Sequence, residues 1–404
     1  MEAVGQGGLP DAGSPFGMGI YLGNRYTPED MVRAARMAQA IGVKWSREEF
    51  SWGYIQPEEG QWRWDRYDRA VEVAQRHGIS LFGLLDYCAP WASTAPDRSS
   101  PDAWKFMPDL GAWSEYVGGV VGRYRDRIRF WEIWNEPNIS VFWGPKPEPV
   151  EYARLLRASY RVIKEADPDA QVIGIDTAGS DLAFIESVFR EGGYVCMDIL
   201  STHPYRYPRT PEESDFVGEL RRTVELMERW GGKKPLWLTE IGWPTHAGDQ
   251  RSSTEQKQAA MIVRMYIQAI ASDCVDKIFW YDYRNDGTDE RYNEHNFGII
   301  RQDFSPKPAY AAFGTMTRQI GGARFVRSVD LCEGVNAYVF EGQGGHVLAL
   351  WSAEGTRKVE IGVKSATVVD LLGKQTRRRL TGGVLKLDVS GDPVFIEGKL
   401  TQLG

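Results

Sequence analysis

The sequence predicts an α/β protein: a (β/α)8 TIM barrel with a small antiparallel β domain at its C-terminal end. Over residues 16–320, short apolar segments alternate eight times with longer segments whose apolar residues recur with helical period. This alternation is typical of parallel strands joined by crossover helices, and eight repeats favour a closed barrel. After about Gly321 the helical period ends, and short strands separated by Gly-rich turns follow.

The strands and helices can be placed from their apolar runs and their start and stop signals. Thr27 followed by Pro28 predicts the start of the first helix, because Pro is pre-set for the first helical position. We predict strands over 16–21, 43–47, 79–85, the stretch 128–138, 171–176, 197–203, 236–241 and 275–283. We predict helices over 27–42, 65–78, 110–124, 149–166, 181–190, 212–230, 254–271 and 308–320.

Three regions follow from these segments. We expect an irregular Gly- and Pro-rich segment over residues 1–15, a catalytic barrel over 16–320 and a β-sandwich-like accessory domain over 321–404. The predicted strands of the last region are 337–340, 346–351, 358–361, 366–370, 384–389 and 393–397. Its one tryptophan, Trp351, lies in an apolar alternation that indicates a core position. We therefore expect this domain to be a structural support rather than a glycan-binding module.

Composition and charge argue against several classes of partner. The chain carries 48 Lys and Arg against 55 Asp and Glu, a net charge of -7, without a long run of either sign. This predicts no nucleic-acid partner and no basic membrane-binding patch. No apolar run approaches the roughly 20 residues of a membrane span. Four scattered cysteines indicate neither a metal site nor a disulfide framework.

The remaining compositional signals concern location and ligand. The first residues lack a charged-then-apolar signal pattern, so we expect either a cytoplasmic protein or a secreted one whose signal has been removed. The oligomeric state stays open. The 15 tryptophans are an unusual number that fits a carbohydrate site, because aromatic faces stack on the C–H faces of sugars, although core packing must account for many of them.

Two stretches share a design that a strand alone does not require. IRFWEIWNEPN begins as a buried strand and ends in Asn135, Glu136 and Pro137, and LWLTEIGWP ends in Glu240, Trp243 and Pro244. Pro cannot donate to a sheet ladder, so each strand stops there with a carboxyl group at its end. Two carboxyl groups are what glycosidic cleavage requires, one to protonate the leaving oxygen and one to stabilise or attack the anomeric carbon.

Other candidate site residues lie at the same end of the predicted barrel. Because the carboxyl ends of barrel strands build the site, we select the polar and aromatic residues at or just after those ends. Besides Asn135, Glu136 and Glu240, the candidates are Arg47, Asp86, Trp91, His203, Tyr205, Trp243 and Trp280. Each has a structural alternative: Arg47 as a core ion pair, His203 as a satisfied buried histidine and Trp280 as packing.

The WNEPN and LTEIGWP motifs resemble those of clan A of the glycoside hydrolases, the retaining (β/α)8 enzymes. The alternation of strands and helices is similar to theirs over residues 16–320. The resemblance implies that Glu136 is the acid/base, that Glu240 is the nucleophile and that Asn135 holds the sugar 2-hydroxyl. Such enzymes need no metal or organic cofactor, and their partner is an oligosaccharide or polysaccharide.

The resemblance also implies roles for the flanking residues. Arg47, His203 and Tyr205 are similar to groups that orient and charge-balance the nucleophile. Trp280 resembles the strand-eight tryptophan that forms the floor under the cleaved sugar, with a cis peptide between Trp280 and Tyr281. Asp86, Trp91 and Trp243 are expected to contact substrate.

Within the clan, family 39 is the most similar family and family 5 the next candidate. Family 39 xylosidases carry a His-Gly pair soon after the strand-two arginine, whereas Arg47 is followed here by Glu48 and Glu49. We therefore expect a retaining glycoside hydrolase acting on β-linked glycans, with the sugar left open. A transglycosylase using the same site and a non-catalytic glycan-binding barrel are the alternatives. Retention requires carboxyl groups about 5 to 5.5 Å apart, which a filled eight-stranded barrel favours.

Overall fold

The computed structural model describes residues 13–378, 380, 382–398 and 400–402. Residues 1–12, most of the predicted irregular N-terminal segment, lie outside the described residues. Along the described part of the chain, no helix is both long and apolar enough to cross a membrane.

The first eight strands form the predicted closed parallel barrel. Each strand pairs with the next in parallel, and β8 pairs with β1 to close the ring. The strands are β1 Phe16–Gly19, β2 Trp45–Ser51, β3 Ser80–Asp86, β4 Phe130–Ile133, β5 Gln171–Ala178, β6 Ile199–His203, β7 Leu236–Ile241 and β8 Lys277–Trp280. The fold class is therefore confirmed.

Helices surround this barrel at the predicted places. They are α1 Leu22–Arg25, α2 Pro28–Ala40, α3 Trp52–Ile55, α4 Asp65–Arg76, α5 Leu110–Tyr124, α6 Pro149–Ala166, α7 Leu182–Arg190, α8 Phe216–Trp230, α9 Glu255–Ala271 and α10 Pro308–Ile320. The Thr27 side chain accepts a hydrogen bond from the Asp30 N–H, as expected of an N-cap before Pro28. The short helices α1 and α3 were not predicted, and both lie in loops that border the barrel mouth.

A layer of large side chains fills the barrel interior and indicates the direction of the residues above it wherever a strand is regular. The layer contains Trp45, Phe82, Ile173, Ile199, Trp237 and Phe279, with Phe130 packed against it. Because side chains alternate along a strand, residues two and four positions later in a regular strand face the interior again, nearer the mouth. The intervening residues face the surrounding helices.

The C-terminal region is an antiparallel two-sheet arrangement. Its strands are β9 Arg324–Ser328, β10 Val335–Gly342, β11 Gly345–Ser352, β12 Arg357–Val363, β13 Ala366–Val369, β14 Gln375–Arg378, β15 Val384–Val389, β16 Val394–Glu397 and β17 Leu400–Gln402. One sheet has the order β14-β13-β16-β11-β10-β9 and the other the order β15-β12-β17. Strands β9, β14 and β17 were missed because their sequences are largely polar. The predicted domain division at Gly321 stays a prediction.

The strand β11 of the larger sheet is buried on both faces over its second half. Leu348 and Leu350 face the smaller sheet, whereas the alternate residues Ala349 and Trp351 belong to the cluster that includes the barrel helices. This explains the nearly continuous apolar run of β11, since a strand buried on both faces does not alternate with polar residues. Trp351 is fully buried, which confirms its predicted core position.

A buried polar contact joins the β domain to the barrel. The Trp351 Nε1–H donates to Glu212 Oε1 over 2.7 Å, and Arg264 and Gln268 of α9 donate to the same carboxylate. Glu212 lies in the connection between β6 and α8, so this contact fixes that connection as well as the domain.

We expect Trp351→Phe to lower the free energy of unfolding by about 1–3 kcal/mol, because it keeps most of the ring but removes a hydrogen bond to a charged group. Denaturant unfolding measures this change. The matched control is Gln256→Ala, which removes an exposed interdomain hydrogen bond to Asp392 and should cost less than about 0.5 kcal/mol. Equal losses would contradict a special role for the buried contact.

Candidate active site

A cavity of about 600 Å³ opens at the carboxyl end of the barrel strands. Its walls combine carboxyl groups, two arginines and aromatic rings from most of the strand–helix loops. The lining residues are Tyr21, Arg25, Arg47, Glu49, Leu84, Asp86, Tyr87, Asn135, Glu136, Ile139, Val141, Phe142, Tyr205, Tyr207, Glu240, Tyr281, Tyr292, Glu294 and Phe297. The structure thus brings the two predicted glutamates together with Arg47, Asp86, Asn135 and Tyr205.

The two glutamates face each other across this cavity. A carboxylate oxygen of Glu136, a ring nitrogen of His203 and a carboxylate oxygen of Glu240 all lie within 4.8 Å of one another. Glu136 follows β4, and Glu240 lies near the end of β7. The Glu136 side chain is 11% exposed and that of Glu240 13%, so both reach the cavity but are largely shielded from water.

The backbone before Glu136 takes an uncommon path. Trp134 and Glu136 both have positive φ values, 68° and 45°, in the left-handed region that non-glycine residues rarely adopt. The Glu136 N–H donates to the Asp176 carbonyl over 3.0 Å, and the Trp134 indole N–H donates to the Phe142 carbonyl. Neighbouring structure therefore holds this turn, which directs the Glu136 side chain into the mouth.

Arg47 is the centre of the ionic network. Its side chain is 1% exposed. Its Nε–H donates to Glu132 Oε2 over 2.7 Å, and its Nη2 donates to Asp176 over 2.8 Å and to the Asn135 side-chain oxygen over 3.0 Å. Its Nη1 donates to Glu240. One guanidinium therefore joins β2 to β4, β5 and β7.

Hydroxyl groups complete the environment of Glu240. The Tyr205 hydroxyl donates to Glu240 Oε2 over 2.7 Å, and the Tyr21 hydroxyl donates to Oε1 over 3.3 Å. Because Arg47 also contacts Oε1, each carboxylate oxygen has a donor and the orientation of the carboxylate is fixed.

His203 links Glu136 to Asp176. Its Nδ1 lies 2.9 Å from Glu136 Oε1, and its Nε2 lies 2.6 Å from Asp176 Oδ1 and 3.1 Å from the Thr239 hydroxyl. Burial lowers the pKa of His203, but the Asp176 and Glu240 carboxylates outweigh it, so that the pKa is raised well above its ordinary value. A protonated His203 donates from both nitrogens and offers no lone pair to a metal ion, although it lies between two carboxylates.

Burial and neighbours separate the proton affinities of the acids. Burial raises the pKa of Glu136, the His203 contact lowers it and the Glu240 charge raises it, and the net shift is upward. Burial raises the pKa of Asp176 too, but His203 and Arg47 outweigh this, and its pKa is lowered. Asp176 therefore holds its proton less tightly than an ordinary aspartic acid, and Glu136 holds its proton more tightly than an ordinary glutamic acid.

The structure does not bring Trp243 and Trp280 to the cavity wall. Trp280 and Trp243 are fully buried, stack on each other at 5.7 Å and do not line the cavity. Phe279 belongs to the interior layer, so alternation turns Trp280 outward and brings Tyr281 to the cavity wall. The cis peptide also lies one residue later than predicted, between Tyr281 and Asp282.

Trp91 is likewise not among the residues that line the cavity. Its ring packs edge-on against Trp52 at 5.5 Å, and its indole N–H donates to the Gln56 carbonyl over 2.9 Å. His203 is fully buried behind Glu136 and is placed to act through the glutamates rather than on a ligand.

Several residues of the site were missed by sequence reasoning. Glu132 and Asp176 are fully buried acids within the apolar strands β4 and β5, and Glu49 and Tyr281 line the cavity. The available signal was a charged residue inside an apolar run, as in FWEI and VIGID. Such a residue is almost never fully buried unless it is paired.

A closed (β/α)8 barrel with facing glutamates after its fourth strand and on its seventh places the protein in the clan A class of glycoside hydrolases. The family model for glycosyl hydrolases family 39 matches residues 107–353, more than half of the chain, and that for glycosyl hydrolase family 10 matches residues 12–173. The chain belongs to glycosyl hydrolase family 39.

Individual relatives are similar over parts or all of the chain. A β-xylosidase from Geobacillus stearothermophilus is 30% identical over 51% of this chain and 45% of its own length. Endo-1,4-β-xylanase B from Thermotoga neapolitana is 23% identical over 65% of this chain and 77% of its own. A family 39 glycoside hydrolase from Bacteroides cellulosilyticus WH2 superposes with a TM-score of 0.80 at 23% identity, covering 97% of this chain and 82% of that one. The match thus spans less than half of the Geobacillus enzyme.

We expect Asp176→Ala to lower the free energy of unfolding by about 3–5 kcal/mol, because it leaves the buried Arg47 and His203 cations without their shared counter-charge. The control Thr239→Val removes one neutral donor to Asp176 and should cost about 1 kcal/mol. Urea unfolding at neutral pH distinguishes the two. A loss of 1 kcal/mol or less for Asp176→Ala would show that the network does not depend on this charge.

Proposed function

We propose that the protein is a retaining glycoside hydrolase that cleaves β-linked glycans through a covalent glycosyl-enzyme. Glu240 is the nucleophile and Glu136 the acid/base. The observation that carries the proposal is the approach of their carboxylate oxygens to within 4.8 Å. Inverting enzymes separate their carboxyl groups by about 6.5 to 9.5 Å to admit a water, whereas retaining enzymes keep them about 5 to 5.5 Å apart.

The surroundings of Glu240 suit a nucleophile. Arg47 and the hydroxyls of Tyr21 and Tyr205 hold both of its oxygens, so the carboxylate is preorganised before it attacks the anomeric carbon. Asn135 accepts a hydrogen bond from Arg47 through its side-chain oxygen, which leaves its amide N–H groups for the sugar 2-hydroxyl.

The surroundings of Glu136 suit an acid that later becomes a base. Burial and the nearby Glu240 charge raise its pKa, so it carries a proton that it donates to the leaving oxygen as the glycosidic bond breaks, which leaves Glu136 ionised. Formation of the glycosyl-enzyme converts the Glu240 carboxylate into a neutral ester. One cause of the raised Glu136 pKa then disappears, and the ionised Glu136 can remove a proton from the attacking water.

The cavity fits an oligosaccharide or polysaccharide. Aromatic rings on its walls, among them Tyr87, Tyr205 and Tyr281, offer faces for the C–H groups of sugars. The curated relatives are named as β-xylosidase and endo-1,4-β-xylanase, so aryl β-xylosides are the first substrates to test. No observation favours a transglycosylase, and two oriented carboxyl groups speak against a purely binding role.

Azide rescue tests both roles at once. We expect Glu240→Gly to lose nearly all turnover and, with azide and an activated aryl β-glycoside, to form the α-glycosyl azide, because azide enters the face that Glu240 left. Glu136→Ala should lose about 10²- to 10⁴-fold on substrates with poor leaving groups. With azide it should form the β-glycosyl azide, because the covalent intermediate is attacked from the opposite face. Proton NMR identifies the anomers.

The control for azide rescue is Glu294→Gln, which changes another cavity carboxyl group and should give no azide adduct. Normal turnover by Glu240→Gly would refute the assignment of Glu240 as the nucleophile. A first-formed α sugar from the unmodified protein and a β substrate, read by NMR before mutarotation, would refute retention.

The pH profile should report the Glu136–His203 contact. For a substrate with a poor leaving group, kcat/KM should fall on the basic side as Glu136 loses its proton, above the usual range of a glutamic acid because its pKa is raised. The His203 contact lowers that pKa, so His203→Gln should move the basic limb to higher pH.

Two comparisons control this pH experiment. A dinitrophenyl glycoside needs no protonation of its leaving group. The basic limb of its pH profile should therefore not reflect the ionisation of Glu136. Thr239→Val touches His203 at Nε2, away from Glu136, and should move the limb less than His203→Gln. An unchanged limb in His203→Gln would show that this contact does not set the proton affinity of Glu136.

A further inference from the structure

The cavity is strongly acidic, and its cations are already engaged. Five carboxyl residues line it, Glu49, Asp86, Glu136, Glu240 and Glu294, against the two arginines Arg25 and Arg47. Arg47 contacts three acids, and Arg25 contacts Asp282 and Asp286. Both guanidiniums are therefore already paired with acids of the protein.

Two of these acids, Glu49 and Asp86, have no role in the mechanism derived above. They lie on neighbouring strands of the barrel, where Glu49 pairs in register with Leu84 and Asp86 with Ser51. Glu49 lies four residues after Trp45, and Asp86 four residues after Phe82, so both point to the interior. Glu49 lies two residues after Arg47 on the same face of β2, and Arg47 donates to Glu240, so the pair lies near the nucleophile.

Asp86 is an unusual group for a folded protein. It is 0% exposed, and neither of its carboxyl oxygens has a hydrogen-bond partner among the described residues. A buried polar group without a partner destabilises the fold, so one that lies in a ligand cavity points to a role in binding. Glu48 provides a contrast, because it faces the opposite side of β2 and accepts the Gly23 N–H.

We infer that Glu49 and Asp86 bind hydroxyl groups of an uncharged sugar on the glycone side of the cleaved bond and exclude a uronate from that position. The inference rests on the proposed glycosidase function. It assigns a specificity-determining pair that the family resemblance did not supply.

The chemistry of the pair matches sugar hydroxyls. Burial raises the pKa of both acids, and it raises the pKa of Asp86 well above its ordinary value. A carboxyl group accepts hydrogen bonds from a hydroxyl group in either protonation state. A protonated carboxyl group donates one hydrogen bond and accepts others, which suits a hydroxyl group that also does both. A uronate would instead bring a negative charge into a cavity lined by five carboxyl groups, where it opposes ionisation of these acids and is repelled by those that are charged.

Deoxy substrates test the contact directly. Glu49→Ala and Asp86→Ala should each lower kcat/KM for an aryl β-xyloside by about 10- to 100-fold. On the 3-deoxy or 4-deoxy analogue that lacks the bound hydroxyl, the same variant should lose less than about 3-fold, because the contact is already missing. Equal losses on the parent and on both analogues would overturn the inference. Glu48→Gln, on the outer face of β2, should leave the ratio between parent and analogue unchanged.

Matched neutral and acidic substrates test the exclusion. The unmodified protein should prefer an aryl β-glucoside over the corresponding β-glucuronide by at least about 10²-fold, and Glu49→Gln combined with Asp86→Asn should narrow this ratio at least about 10-fold. An unchanged ratio would overturn the exclusion of uronates.

Two further readouts separate this inference from the catalytic proposal and from a structural role. Saturation-transfer NMR with methyl β-xyloside measures binding without turnover. Weaker binding by Asp86→Ala supports a sugar-binding role for the pair even if hydrolysis is absent. Unchanged binding overturns that role. Thermal unfolding of Asp86→Ala should show no loss of stability, since an unpartnered acid is removed, and a large fall in Tm would make Asp86 structural instead.

Discussion

The site depends on one buried cation. Arg47 on β2 contacts Glu132 on β4, Asp176 on β5 and Glu240 on β7 while being 1% exposed. A buried guanidinium is tolerated only when its donors meet acceptors in good geometry. The relative positions of four strands are therefore coupled to the position of the Glu240 carboxylate. The same buried ion pairs hold these strands together and orient the nucleophile.

The same network makes two chemically identical side chains different. Glu240 receives a guanidinium and two hydroxyls, whereas Glu136 is buried beside a histidine that Asp176 holds from the other side. Burial raises the pKa of Glu136 despite its His203 contact, whereas Arg47 and the two hydroxyls fix the orientation of the Glu240 carboxylate. The β domain reaches this arrangement through Glu212, because the β6–α8 connection carries both Tyr205 and the contact to Trp351.

Asp86 and Glu49 differ from the acids that Arg47 contacts. Arg47 is paired with the acids of its network, whereas Asp86 on β3 has no hydrogen-bond partner among the described residues. A fold that keeps unpartnered acids in a cavity trades stability for recognition, as functional sites commonly do. The acidity of the cavity as a whole then becomes a property that selects substrates by charge.

Local pattern alone determined the eight strand–helix units, the antiparallel end of the chain and the placement of Glu136 and Glu240 at strand ends, because periodicity and proline stops are read over a few residues. Tertiary structure decided which neighbour serves the site. Tyr281 rather than Trp280 faces the cavity because Phe279 packs into the interior layer, and Glu132 and Asp176 matter because Arg47 lies between them. Side-chain direction and charge pairing depend on strands distant in sequence, so these assignments required the closed barrel.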